Sequence, residues 1–400
     1  MKNNQGLCEG EAVSEWQEVS LDSVAQINPT ESLPKGTVAK KIAMDALQPF
    51  TKRPSTFEVE PYNGGMKFKN GDTIIARITP CLENGKTAYI DLLDENEVAF
   101  GSTEYIVLRE KLGVTDKQFL YYFSISPIFR DVAIASMTGS SGRQRVQTDV
   151  VKQHVFEMPS LKEQKAISSA LSSLDDKIDL LHRQNATMER MAETLFRQWF
   201  VEEVQESWEE KRIGDLVKVI DNRGKTPPYT DIPSAHPLIE VNALTGNNRL
   251  VDYSVIRKFV DEQTFKTWFR GHPKKYDSLL STVGSIGEIS MFLVERGSIA
   301  QNVIALSAVN ICPIYLFEAL KNIRDEIKEL DIGSVQPSIK VPHLLSLKIK
   351  IPSKDKLDNF SMIIKSQLEK MVINYHQTLT LEKFRDNFLP KLMSGEVRVI

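Results

Sequence analysis

Apolar positions along this chain fall into two textures, and each texture occurs twice. The first is irregular and strand-like. GDTIIARI (Gly71–Ile78) is a turn running into an apolar strand, and EYIVL (Glu104–Leu108) reads as a second strand. KQFLYYFSISPIFRDVAI has helical spacing at Phe119, Tyr122 and Phe123 and breaks at Pro127. The same style returns in residues 208–352 as YDSLLSTVG, SIAQNVIALS and a helix through YLFEALKNIRDEIKEL. The second texture is a seam of alternating three- and four-residue steps. Leu171, Leu174, Ile178, Leu181, Asn185, Met188, Ala192, Leu195 and Trp199 span four heptads, which predicts a coiled-coil helix. Ile364, Leu368, Met371, Tyr375 and Leu379 make a looser second seam. Asn185 is either a register pin or a polar interruption that reaches solvent. Helicity from Leu161 to Phe200 would give roughly 60 Å at about 1.5 Å per residue, on the scale of one to two DNA turns.

One register joins the two copies. Trp208 follows Trp16 by 192 residues, Pro352 follows Pro159 by 193, and Phe388 follows Phe196 by 192. So long a period is a duplicated module rather than a solenoid of short units. The expected fold class is α+β: two globular mixed α/β domains related by a pseudo-twofold, separated by two long helices that form an antiparallel coiled coil. The expected boundaries are residues 1–159 for the first domain, 160–207 for the first helix, 208–352 for the second domain, and 353–400 for the second helix and tail. Such a pseudo-dyad with non-identical halves suits a two-sided ligand, and duplex DNA with two different half-sites leads. A duplication kept only for structure is the plainer reading.

Composition permits two sizeable cores, since 41% of 400 residues are apolar. Cys8, Cys81 and Cys312 lie far apart without a CxxC pair, which argues against a disulfide framework or zinc site and favours a reducing cytoplasm. The first 16 residues lack an apolar signal core, and Asn310 and Pro313 interrupt the most apolar stretch, Ile304–Leu320, so no membrane span is expected. Net charge is −3; residues 1–207 carry 23 basic and 30 acidic side chains, and the remainder 27 and 23. With no uniformly basic stripe, phosphate contacts must come from local loops or a partner.

Catalytic motifs fail on inspection. NGKT (Asn84–Thr87) and RGKT (Arg223–Thr226) lack the earlier glycine of a P-loop, and VGSIGE (Val283–Glu288) lacks GxGxxG. TPPY (Thr226–Tyr229) is led by Thr where adenine-N6 methyltransferases place Asn, Asp or Ser, and two prolines make it a stiff turn. The six histidines show no metal-ligand spacing, so no metal site is expected.

Particular strings then accumulate: ARITPCLENGK (Ala76–Lys86), GSTEYIVLR (Gly101–Arg109), SGRQRV (Ser141–Val146), MPSLKEQKAI (Met158–Ile167), LSTVGSIG (Leu280–Gly287), GSVQPSIK (Gly333–Lys340) and LPKLMSGEVRV (Leu389–Val399). In this order they resemble the specificity subunits of type I restriction-modification systems over nearly the whole chain. One departure is SKDKLDNF, which lacks the LKEQ pattern of the first helix start. The resemblance implies a non-catalytic subunit in which each target-recognition domain reads half of a bipartite asymmetric target. The helices would set the gap and dock methyltransferase subunits. Implied partners are double-stranded DNA, two methyltransferase subunits and two restriction/translocase subunits, with no membrane. S-adenosylmethionine, ATP and Mg would belong to those partners, and none to this chain. The implied holoenzyme is a type I site-specific deoxyribonuclease and adenine-N6 DNA methyltransferase.

Candidate DNA-reading residues follow from side-chain chemistry. Arg143, Gln144 and Arg145 lie in a glycine–serine loop and can pair bidentately with guanine and adenine edges, and Lys86 is a phosphate candidate. In the second domain the candidates are Arg223, Lys225 and Tyr229 in the proline-stiffened loop, with Gln336, Ser338 and Lys340 near the matching strand. Each can equally be a solvated loop side chain or a support for the fold. Other readings are a fused methyltransferase, tested by cofactor binding, and a coiled-coil assembly adaptor, tested by DNA protection. A DNA-recognition subunit of a related methyltransferase–nuclease system is a further alternative.

Overall fold

The computed structural model describes residues 16–399 apart from Arg223, Lys225, Asn247, Asn248 and Ser334. Its contacts divide it into two compact units, one from the described part of residues 1–180 and 378–400, the other from 181–377. No helix among the described residues is long and apolar enough to cross a membrane.

In the first unit β1 (Gln17–Ser20) pairs antiparallel with β10 (Val155–Met158), so the domain's start and end are stitched together before the first long helix. Between them β2 (Ala25–Ile27), β9 (Tyr105–Glu110), β6 (Thr73–Ala76) and β7 (Thr87–Tyr89) form an antiparallel sheet in that order. All four residues of β6 and the first four of β9 are buried, the pattern of central strands covered on both faces. A second sheet runs β4 (Glu58–Pro61), β3 (Val38–Ile42), β8 (Ala99–Gly101), β5 (Lys67–Phe68), with β3 and β8 parallel through Ile42 and Gly101. The helix Lys117–Ile125 is capped by Asp116, whose carboxylate accepts from the N–H groups of Gln118 and Phe119. Pro127, expected as a breaker, opens a new helix, Pro127–Ala135, because its missing N–H costs nothing at the first helical position.

The second unit repeats this plan. β11 (Glu209–Arg212) pairs with β19 (Lys348–Ile351), and β12 (Val217–Asp221), β18 (Val303–Ala308), β15 (Ser278–Ser281) and β16 (Ile289–Met291) form the four-stranded sheet. β14 (Phe259–Val260), β13 (His236–Ile239) and β17 (Ser298–Ile299) form the other, with β13 and β17 parallel through Ile239 and Ile299. A short helix, Glu262–Thr267, lies between β14 and β15. The continuous helix expected through YLFEALKNIRDEIKEL is two helices, Pro313–Asn322 and Arg324–Glu329. The break at Ile323 lets both Ile323 and Ile327 enter the core.

The long helices span Leu161–Phe196, continued by a wider π-helical segment through Glu202, and Lys354–Met393. Each begins two residues after a proline, Pro159 or Pro352. In the second unit they run antiparallel: Asn374 meets Asn185, Phe360 packs on Phe200, and Lys356 pairs with Glu203. In the first, Leu171 of one helix shares a core with Leu389 and Leu392 of the other.

The divergence of SKDKLDNF from LKEQ has a structural cause. In the first unit Glu163 accepts from Trp16 Nε1 at 3.2 Å and from Arg398 Nε at 2.8 Å, while buried Gln164 bonds the backbone at Asp116, Val114 and Pro159. In the second unit the equivalent Lys356 sits 5.4 Å over the Trp208 ring, and Leu357 enters the core. The same joint is locked by opposite chemistry.

Candidate nucleic-acid interface

Each sheet-rich domain builds one platform from the same backbone pattern. In the first, a strand-like loop lies against the residues following β6: Thr79 N–H donates to the Gln144 carbonyl at 3.0 Å, and Val146 N–H to the Arg77 carbonyl at 2.9 Å. In the second, Gly284 N–H donates to the Pro337 carbonyl at 2.9 Å, and Ile339 N–H to the Thr282 carbonyl at 3.0 Å. Isolated bridges, Ile78 with Arg145 and Val283 with Ser338, confirm the match. Arg145 and Ser338 therefore hold the same place, as do Arg77 and Thr282.

In the first domain Thr138 and Arg145 exchange both backbone hydrogen bonds, closing a hairpin whose tip carries Arg143. Gly139 has φ +133°, and a Cβ there would meet the Arg143 carbonyl at 3.0 Å, so the tip needs glycine. Arg143 is exposed and Gln144 half-buried. Arg145 is held by Glu104, with Nε 3.0 Å and Nη2 2.7 Å from Oε1, and Arg77 Nε lies 3.2 Å from Oε2. The guanidinium of Arg145 keeps the Glu104 carboxyl below its ordinary range. Arg145 is thus no freely solvated loop residue. Lys86 is half-buried, and its ammonium donates to the Met44 carbonyl at 2.9 Å, bracing the turn Met44–Ala46.

In the second domain Tyr229 is exposed, with Lys258 Nζ 5.0 Å above its ring, and Lys258 donates to Glu240 at 2.8 Å. A cleft of about 270 Å³ opens between Thr226, Pro227, Asn242, Lys258, Gln301 and Asn302. Gln336 is exposed and its amide nitrogen faces Gly284, which has φ +82°. Ser338 N–H donates to Asp331 at 2.8 Å, and exposed Lys340 begins the helix Val341–Ser346. Arg223 and Lys225 lie outside the described residues.

Along the seam, Leu171, Ile178, Leu181, Ile364, Leu368 and Met371 are buried, while Leu174, Asn185, Met188, Leu195 and Tyr375 are half-buried. Sequence reasoning passed over Arg77, Glu104, Asn242, Gln301 and Asn302. The available signal was the repeat itself, which sets GSTEYIVL against IAQNVIAL, with Glu104 opposite Asn302.

Two sheet-rich domains, each presenting a polar loop platform, beside two long helices define a modular binding protein. The family model described as "Type I restriction modification DNA specificity domain" matches residues 13–190 and 205–380, so the chain belongs to this family and is a DNA target-recognition subunit of a type I restriction-modification system. The type I restriction enzyme MjaIX specificity subunit of Methanocaldococcus jannaschii is 26% identical over 316 residues, covering 72% of this chain and 71% of that protein. The EcoAI specificity subunit of Escherichia coli is 30% identical over 206 residues, 48% of this chain and 35% of that protein. Among solved structures, the S subunit of a type I system from M. genitalium matches 97% of this chain and 98% of its own with TM-score 0.57; at 18% identity this is a likeness of fold.

Proposed function

We propose that each recognition domain reads one half of a bipartite, asymmetric target in duplex DNA, and that the long helices set the gap and dock methyltransferase subunits. The observation that carries this reading is the duplicated platform: one backbone pattern, Thr79 to Gln144 and Gly284 to Pro337, bearing different side chains in each copy. A shared frame with divergent side chains is what two different half-sites require. Arg143, Gln144, Arg145, Tyr229, Gln336, Ser338 and Lys340 are the proposed contacts described in the structure, with Lys86 a phosphate contact through the N–H groups left after bracing Met44. Arg223 and Lys225 are proposed on sequence alone. The domain boundaries proposed are those of the sequence reading, residues 1–159 and 208–352. Catalysis would belong to partner subunits carrying S-adenosylmethionine, ATP and Mg.

The test is reconstitution. Purified chain should transfer no methyl group to DNA until methyltransferase subunits are added, and replacing residues 17–158 with a relative's segment should then change one half-site of the methylated target. Methyl transfer by the isolated chain, or change in both half-sites, would contradict the proposal.

A further inference from the structure

The two platforms occupy equivalent places and carry opposite chemistry. Strand register gives the equivalence independently of the loops. Ile42 pairs with Gly101 in the parallel strands of the first domain, as Ile239 pairs with Ile299 in the second. Counting onward, Asp45 corresponds to Asn242, and Thr103 and Glu104 to Gln301 and Asn302. The carbonyl of Glu104 accepts from Arg77 N–H at 3.0 Å, and that of Asn302 from Thr282 N–H at 2.9 Å, closing the match. Around one spot the first domain therefore gathers Arg77, Glu104 and Arg145, with Asp45 at the register position of Asn242. The second sets Asn242, Gln301 and Asn302 on one cleft, with Thr282 and Ser338 at the places of Arg77 and Arg145. Charged groups stand in one copy where amides and hydroxyls stand in the other.

The free hydrogen-bonding edges differ accordingly. Glu104 takes Nε and Nη2 of Arg145 but leaves Nη1 and the outer N–H of Nη2. A guanidinium braced in this way presents two parallel donors, the complement of guanine O6 and N7. Gln301 and Asn302 line the cleft of the second domain, and among the described residues neither carboxamide has a hydrogen-bond partner. A carboxamide offers one donor and one acceptor side by side, the complement of adenine N7 and N6.

We propose that these equivalent spots are the base-reading seats of the two domains, Arg145 with Arg77 taking a guanine in one half-site and Asn302 with Gln301 taking an adenine in the other. This rests on the reading that each domain serves one half-site. Glu104 is then a positioning residue, and the seats differ because ion-pair chemistry in one copy is replaced by neutral chemistry in the other.

The experiment uses the chain assembled with its methyltransferase subunits on duplexes of fixed gap with randomised half-sites, sequenced for N6-methyladenine. Arg145→Lys keeps the charge and loses the fork, and should lower the preference for guanine at one position of one half-site by about tenfold. Gln301→Ala with Asn302→Ala should lower the preference for adenine at one position of the other half-site by about tenfold. Asn302→Asp exchanges the donor for a second acceptor and adds a negative charge, so total methylation should fall while the preference that remains moves toward cytosine, whose N4 donates. Among the described residues the Asn302 carboxamide has no hydrogen-bond partner, so a fall in methylation by this variant with the adenine preference unchanged would overturn the proposal. So would relaxation at a different base, a uniform fall across the library, or no change. If any one variant altered both half-sites, the one-domain, one-half-site reading itself would fail.

Discussion

Arg249 shows how much a single side chain can hold. It is fully buried, with Nε 2.7 Å from Glu189 on the first long helix, Nη2 bonded to Glu318, and its guanidinium 4.7 Å over the Phe317 ring. Lys321 adds bonds to Glu189 and Glu193 at 2.7 and 2.6 Å. Breaking one partner of such a cluster is costlier than never having built it, because the remaining charge stays desolvated. Arg249→Met should cost about 3–5 kcal/mol in urea unfolding, and adding Glu318→Leu should restore most of it. Burial already pushes the Glu318 carboxyl up, and without Arg249 it rises further. The folded variant then holds a proton that the unfolded chain releases, so its deficit grows as pH rises above the ordinary carboxylate range and shrinks as pH falls toward it. A single variant as stable as the natural chain would contradict this. The first unit has its own tie: Tyr122 donates to Asp175 at 2.6 Å, and Arg385 pairs with the same carboxylate at 2.9 Å. Neither cluster was legible in the sequence, where Arg249, Glu189, Glu318, Lys321, Asp175 and Arg385 are charges on otherwise ordinary helices or loops and Tyr122 reads as one more aromatic of a helix.

The long helices were the most legible elements and still held a surprise. The first seam falls where its three-four steps place it. The second follows its apolar residues to Met371, then turns polar: Asn374, Thr378 and Arg385 are buried, while Tyr375 and Leu379 are only half-buried. Asn374 donates to Asn185 Oδ1 at 2.9 Å, and Asn185 donates to the Met371 carbonyl at 3.4 Å. Asn185 is thus paired in the seam rather than reaching for solvent. An amide pair in a helical seam, here with Asn374 buried and Asn185 half-buried, specifies register at a cost in stability. Asn374→Leu alone should destabilise by roughly 1–3 kcal/mol, since it strands a carboxamide. Asn185→Leu with Asn374→Leu should raise the melting temperature while native mass spectrometry shows additional oligomers. Equal stability of natural, single and double forms would remove the pin.

At the scale of the whole molecule, the spacing role proposed for the helices makes a quantitative demand. Inserting one heptad in both, near Asn185 and near Tyr375, preserves the three-four seam because the apolar pattern repeats every seven residues. Seven residues add about 10 Å at most, which at roughly 3.4 Å per base pair bounds the change at about three base pairs. The assembled variant should methylate unchanged half-sites at a longer gap, weakly if the added rotation presents the second half-site on the wrong face. Full activity retained only at the original gap would show that the helices do not set the spacing.

The sequence alone determined what is local or repeated: the long helices, their apolar seam, the duplicated order of elements and the strings shared with the family. These are legible because helix and strand impose short periods on neighbouring residues. Tertiary structure alone decided which distant side chains share a site. Glu104 reads as a strand residue until β9 and the loop at Arg145 are brought together, and Lys86 reads as a free cation until Met44 is beside it. Buried Asn374 and Arg385 look like solvent-facing positions because a polar residue can enter a core only when a particular partner awaits it. That partner is fixed by register between segments far apart in sequence, which no periodicity records.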